Sequence, residues 1–179
     1  MKILKNDLKT NISIRTEKDF PKKGVEYIDI MPLIINNNAY QEILDLFINK
    51  VKDKKIDYIV SPEARGFLFG CPVATKMDIG FIPARKKGKL PPSTVIADFE
   101  YEKEYGKDIL SLPKLVENES YQGKNFYIVD DIYATGNTVQ AIKRKLEELG
   151  GNVVEIGVVI NIKELNSDSV YSIMEVNEE

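Results

Sequence analysis

Asp130 and Asp131 are followed within eight residues by Ala134, Thr135, Gly136, Asn137 and Thr138. Two neighbouring carboxylates can accept hydrogen bonds from a vicinal diol. Small and hydroxyl residues in a tight turn before a helix leave unpaired backbone N–H groups facing outward, which is a cradle for phosphate. One sugar phosphate would use both halves. The elements that must position them flank the motif. The apolar run Phe126, Tyr127, Ile128, Val129 has the length and character of a buried strand in a parallel sheet. Gly136 and Asn137 are residue types that tolerate positive φ, so the chain can turn sharply. An amphipathic helix is expected over 138–149, stopped by Gly150-Gly151. Spacing alone does not separate a phosphate cradle from an ordinary capped strand–turn–helix with acids at a sheet edge.

The rest of the chain alternates. Apolar residues Ile43, Leu44, Phe47, Ile48 and Val51 form a helical stripe within 40–54. Strands are expected over 55–60, 80–84, 94–101, 126–130, 152–160 and 169–176, and a helix over 66–77. That order predicts an α/β fold with a mainly parallel central sheet and helices on both faces. With no repeat or linker, one domain over 1–179 is expected.

A second stretch, SPEARGFLFGCPVATKMDIGFIPARKKGKLP, carries a further anion-suited loop. Glu63, Ala64, Arg65 and Gly66 lie between a strand and a helix, and ligands in open α/β sheets gather outside the carboxyl ends of strands. Arg85, Lys86, Lys87 and Lys89 place four cations within five residues after another expected strand. Alone, such a run is usually a solvated face; beside two phosphate-suited loops it becomes part of a site.

Composition narrows the chemistry. The chain has 179 residues, 43% hydrophobic and 30% charged, with a formal net charge of −3. A general nucleic-acid footprint is therefore not expected, and no stretch suggests a signal peptide or membrane span. The single cysteine, Cys71, excludes an internal disulfide and suits a reducing, cytoplasmic compartment. There is no histidine, which excludes His-based general bases, triads and zinc sites. Proton transfer falls to carboxylates, Lys or Tyr, and a divalent metal would be Mg²⁺ held by oxygens and shared with phosphates rather than in a protein cage.

The residue order adds what spacing cannot. VDDIYATGNT closely resembles the donor motif of type I phosphoribosyltransferases. EARGFLFG with FIPARKKGKLP, the segment DFPKKGVEYIDIMPLI, and Glu104-Tyr105-Gly106 resemble the adenine branch of that family more than its guanine, hypoxanthine, orotate or uracil branches. The matching blocks span roughly 19–151 in the family's order.

The resemblance implies a small N-terminal hood, a mobile closing loop, and transfer of 5-phosphoribosyl from phosphoribosyl pyrophosphate to adenine in a homodimer. It implies that Asp130 and Asp131 hold the ribose diol and that Ala134, Thr135, Gly136, Asn137 and Thr138 take the 5-phosphate. Glu63, Ala64, Arg65 and Gly66 would hold pyrophosphate with Mg²⁺, and Arg85 and Lys89 would neutralise it. The base would meet Val25, Glu26, Tyr27, Ile132 and Arg65. Glu104, beside Tyr105 in the loop, would be the acid near N7.

Four residues depart from the family pattern. Tyr27 replaces the usual Phe. Glu26 replaces an apolar residue beside the base, and can turn inward to accept an N–H or outward to solvent. Ile28 replaces an Arg, deleting a charge-assisted contact of a kind worth about 1.5–3 kcal/mol. Asn137 replaces a second Gly and is expected to tolerate the left-handed conformation. Glu104 also falls two residues later than the family spacing from Pro91, which makes Glu102 the alternative loop acid. Two other functions stay open: the same donor with hypoxanthine or guanine, and a non-catalytic binder of phosphoribosyl pyrophosphate or a nucleotide.

Overall fold

The computed structural model describes residues 1–103 and 106–177. Its frame is an eight-stranded sheet in the order β1-β10-β9-β8-β4-β5-β7-β6. The strands are β1 Lys2–Asn6, β4 Tyr58–Pro62, β5 Gly80–Lys86, β6 Val95–Lys103, β7 Gly106–Pro113, β8 Asn125–Tyr133, β9 Asn152–Ile162 and β10 Tyr171–Asn177. The middle strands β10, β9, β8, β4 and β5 run parallel, while β1, β7 and β6 join antiparallel at the two margins. Helices α1 Met31–Ile35, α2 Asn37–Val51 and α3 Phe67–Met77 pack on one face, and α4 Asn137–Glu148 on the other. This is the expected mainly parallel sheet with helices on both faces. A separate antiparallel hairpin, β2 Arg15–Lys18 with β3 Glu26–Asp29, stands apart from the sheet.

Local chemistry sets the boundaries. Helix α2 starts at Asn37 because the Asn36 side chain accepts from the Ala39 amide at 3.1 Å, an N-cap. It buries Ile43, Leu44, Phe47 and Val51, and ends three residues before the expected limit. Helix α3 carries Pro72 in its interior, which has no N–H for the Leu68 carbonyl. The Tyr40 hydroxyl donates to that carbonyl instead. Tyr40→Phe is therefore expected to lower stability by about 1 kcal/mol, read as a lower denaturation midpoint at unchanged slope.

Several elements exceed the expectation. Strand β7 carries no alternating sequence signal, because its buried residues Leu110, Ser111 and Leu112 are consecutive. Strands β1 and β2 are short and mostly exposed, and β3 has only four residues with Ile28 alone buried, so none carries an apolar period. Strand β8 runs on to Tyr133, which puts Asp130 and Asp131 inside a strand rather than at its end.

Candidate active site

Strands β4 and β8 are parallel neighbours from which the chain departs in opposite directions, β4 through α3 to β5 and β8 through α4 to β9. Their carboxyl ends form the switch point where open α/β sheets bind ligands. The two loops singled out in the sequence, 63–66 and 134–136, both emerge there.

The loop after β8 encloses a cavity of about 100 Å³ lined by Asp130 and the run from Ile132 to Val139. Gly136 has φ +79°, and a β-carbon there would lie 2.3 Å from the Tyr133 hydroxyl. Glycine is needed for both reasons. Asn137 is already the first helical residue and is not among the positive-φ positions. The expected left-handed Asn137 is thus corrected: Gly136 alone makes the turn, and a second glycine is not required. No side chain caps α4, so its first amides stay open to the cavity.

Asp130 and Asp131 are only 7% and 4% exposed. Asp130 Oδ1 accepts from the Asp131 amide at 2.8 Å. Burial, and then the neighbouring Asp131 carboxylate, push the Asp130 carboxyl well above the usual range. Arg65 Nε lies 2.8 Å from Asp131 Oδ2, yet that oxygen has no aligned hydrogen bond. The contact is electrostatic, and the oxygen keeps capacity for a hydroxyl. The Arg65 guanidinium also lies 5.6 Å from the centre of the Tyr27 ring. It thereby joins the acid pair to the hairpin above.

The loop after β4 contains a cis peptide between Glu63 and Ala64. At Gly66 a β-carbon would stand 2.8 Å from Asp130 Oδ1 and 2.9 Å from the Pro62 carbonyl oxygen. The two loops meet at this glycine. The Glu63 carboxylate accepts from Arg85 Nε and from the Lys86 amide, each at 2.9 Å. Burial would raise the Glu63 carboxyl, but these bonds and the adjoining cations outweigh it and hold the group below its ordinary value. Arg85 is thus engaged within the protein, whereas Lys89 is exposed in the turn that follows β5.

A third space, about 250 Å³, lies between the hairpin and the carboxyl ends of β8 and β9. It is bounded by Gly24, Val25, Glu26, Tyr27, Ile28, Arg65, Ile132, Ala134, Ile162 and Leu165. It shares Ile132 and Ala134 with the phosphate-sized cavity, so the two adjoin across these residues. Phe20 supports Tyr27 edge-on at 5.2 Å. Ile28, 4% exposed, forms an apolar wall and belongs to the core cluster with Ile30 and Leu33. Glu26 lines the cleft half-buried.

Sequence reasoning missed Ile162 and Leu165, and behind them Asn166 and Asp168. The available signal was topological. Strand β9 is the parallel neighbour of β8, so whatever follows Ile162 must emerge beside Ala134. Asn166 Nδ2 donates to the Ala134 carbonyl at 2.7 Å, and lies 3.0 Å from both Asn161 Oδ1 and the Ile162 carbonyl oxygen. The Tyr133 hydroxyl donates to Asp168 at 2.6 Å and accepts from Gln140 at 2.8 Å. Burial and the Asp168 partner push the Tyr133 phenol up to about 12, so it stays a donor.

Glu104 and Tyr105 lie outside the described residues. They fall between β6 and β7, whose register pairs Glu102 with Lys107. Glu102 borders a space of about 320 Å³ with Asn137 and Arg144. That space shares Asn137 with the phosphate-sized cavity and no residue with the cleft under the hairpin. Among the described residues, no cluster of three or more His, Cys, Asp or Glu could hold a metal ion. The Asp130–Asp131 pair is an all-oxygen donor set that suits a hard cation shared with a ligand's own oxygens.

Known proteins repeat this architecture. The family model for the phosphoribosyl transferase domain matches residues 33–178. The adenine phosphoribosyltransferase of Clostridium acetobutylicum is 47% identical over 154 residues, covering 86% of this chain and 87% of the relative. The crystal structure of adenine phosphoribosyltransferase from Thermoanaerobacter pseudethanolicus superposes with TM-score 0.82 at 37% identity, covering 91% of this chain and 95% of its own. The enzyme of that name from Saccharomyces cerevisiae, solved with adenine and an imino-altritol bisphosphate, gives TM-score 0.77 at 34% identity over 89% of this chain and 92% of its own. By sequence and by fold, this chain belongs to the type I phosphoribosyltransferase family.

Proposed function

We propose that this protein is an adenine phosphoribosyltransferase, joining N9 of adenine to C1 of phosphoribosyl pyrophosphate and giving AMP and pyrophosphate. The observation that carries this reading is the juxtaposition of a carboxylate pair suited to a diol, an uncapped helix start and a base-sized cleft at one switch point. The adenine enzymes among its relatives support the choice of base.

In the reaction the C1–O bond breaks and its electron pair leaves with pyrophosphate. Positive charge builds on the ribose ring, the N9–C1 bond forms, and the base loses a proton. Positioning and electrostatics do most of such work. Asp130 and Asp131 hold the ribose hydroxyls and face the developing positive charge. The open amides of 135–138 take the 5-phosphate. The amides of 64–66, with Lys89, receive pyrophosphate, and Arg85 joins them when it leaves Glu63. Tyr27 and Ile132 sandwich the base, with Ile28 in the apolar wall behind, and Glu104 exchanges the proton at N7. Mg²⁺, carried by the donor, would sit against Asp130 and Asp131 and neutralise leaving-group charge.

The working form is taken as a homodimer, checked by sedimentation. The cytoplasm is its place because a multiply charged donor does not cross membranes unaided. A second reading comes from Glu26. Its half-buried carboxylate at the cleft can accept an N–H from a base, so hypoxanthine or guanine could also serve. Parallel assays with the three bases decide this: adenine is expected to give the highest kcat/KM, and a higher value for another base would move the specificity to Glu26.

A further inference from the structure

We propose that Asn166 and Asp168 are positioning residues for the 5-phosphate loop, fixing its backbone from behind. This rests on the reading that 134–138 receives the 5-phosphate. Neither residue lines the phosphate-sized cavity; both act through residues that do.

A trans peptide points its carbonyl and the next residue's N–H in opposite directions. Asn166 holds the Ala134 carbonyl at 2.7 Å on the side of the segment after β9. The Thr135 N–H of the same peptide is thereby aimed the other way, into the cavity that Thr135 lines. Asn166 is itself fixed: its Nδ2 also meets Asn161 Oδ1 and the Ile162 carbonyl, and its Oδ1 accepts from the Asp168 amide at 3.2 Å.

Asp168 controls the other end of the loop. It accepts from Tyr133, whose hydroxyl also accepts from Gln140 in the first turns of α4. The Tyr133 ring lies directly against Gly136, where a β-carbon would come within 2.3 Å of the hydroxyl. One side chain therefore ties the strand end, the turn glycine and α4 to the segment after β9. Leu165, in that same segment, lines the base cleft. The wall of the base site and the brace of the phosphate site are the same piece of chain.

The test is equilibrium binding of ribose 5-phosphate and of pyrophosphate to the whole protein, with thermal melts as a folding control. Asn166→Ala and Asp168→Ala are expected to weaken ribose 5-phosphate by about three- to tenfold, the range of one lost hydrogen bond. Pyrophosphate affinity should stay unchanged. Asp168→Asn keeps an acceptor for Tyr133 and should recover most of the affinity, which a purely electrostatic role for Asp168 would not allow. Unchanged ribose 5-phosphate affinity in the folded variants overturns the proposal, as does equal weakening of both ligands. If Asn166→Ala does not fold, the two Asp168 variants carry the same test. A wild-type protein that binds no ribose 5-phosphate overturns the underlying site reading and this inference with it; binding by wild type with insensitive variants overturns this inference alone.

Discussion

Asp130→Asn is expected to make the protein more stable at neutral pH and a much poorer enzyme. Asp130 is buried beside Asp131, and its carboxyl is pushed well above the usual range, first by burial and then by that neighbour. Folding therefore favours its protonated form. The stability this group supplies is fully present below its unfolded value, about 3.9, and is lost as pH rises through the raised folded value. Asparagine has no such proton to lose. The variant's advantage should grow with pH across that window, with its midpoint rising by about 2–4 °C for each kcal/mol relieved. Function should move the other way, because the diol of a bound donor with its Mg²⁺ would draw Asp130 to its carboxylate form, and an amide cannot supply that charge-assisted acceptor. A loss of about ten- to hundredfold in kcat/KM for phosphoribosyl pyrophosphate follows from one such bond. Paired pH-dependent melts and donor kinetics check both signs. A variant less stable than wild type at neutral pH would show that the two acids are not in conflict.

Gly136→Ala is the second substitution with a large expected effect. Its φ of +79° is left-handed, and the added carbon would meet the Tyr133 hydroxyl at 2.3 Å and the ring carbon bearing it at 2.4 Å. The left-handed conformation costs about 1–2 kcal/mol for a residue with a side chain, and overpacking against a buried ring about 1–3 kcal/mol more. Relief requires Tyr133 to move, which breaks its bonds to Asp168 and Gln140. The expected result is a clear loss of stability together with loss of ribose 5-phosphate binding, measured by melts and titration. By contrast, Asn137→Gly, at a helical position, should lower stability by only about 0.5–1 kcal/mol and leave the turn intact. An equal effect at both positions would contradict the placement of the turn at Gly136.

The parallel core was legible because its signals are local. The run from Phe126 to Val129 announced β8, the stripe from Ile43 to Val51 announced α2, and Gly150 with Gly151 closed α4. The hairpin that covers the cleft was not legible from periodicity. Strands β2 and β3 have few buried residues, and the resemblance alone suggested a hood there. Strand β8 appeared to stop at Asp130 because charge normally marks a strand's end. Here the charge lies inside the strand, where both acids are buried against the usual rule. The Asn137 expectation failed for a related reason. Sequence shows which residues tolerate a left-handed turn, but packing against Tyr133 decides which one makes it. The contribution of Leu165, Asn166 and Asp168 depends on β9 lying beside β8, a long-range pairing that no local window contains.

Transfer of phosphoribosyl to adenine is measured as AMP formation from adenine, phosphoribosyl pyrophosphate and Mg²⁺, with hypoxanthine and guanine in parallel. AMP and pyrophosphate are expected in equal amounts, fastest with adenine, with a matching loss in Asp130→Asn. Donor binding without turnover on any base would contradict that expectation and leave a protein that holds the donor without using it.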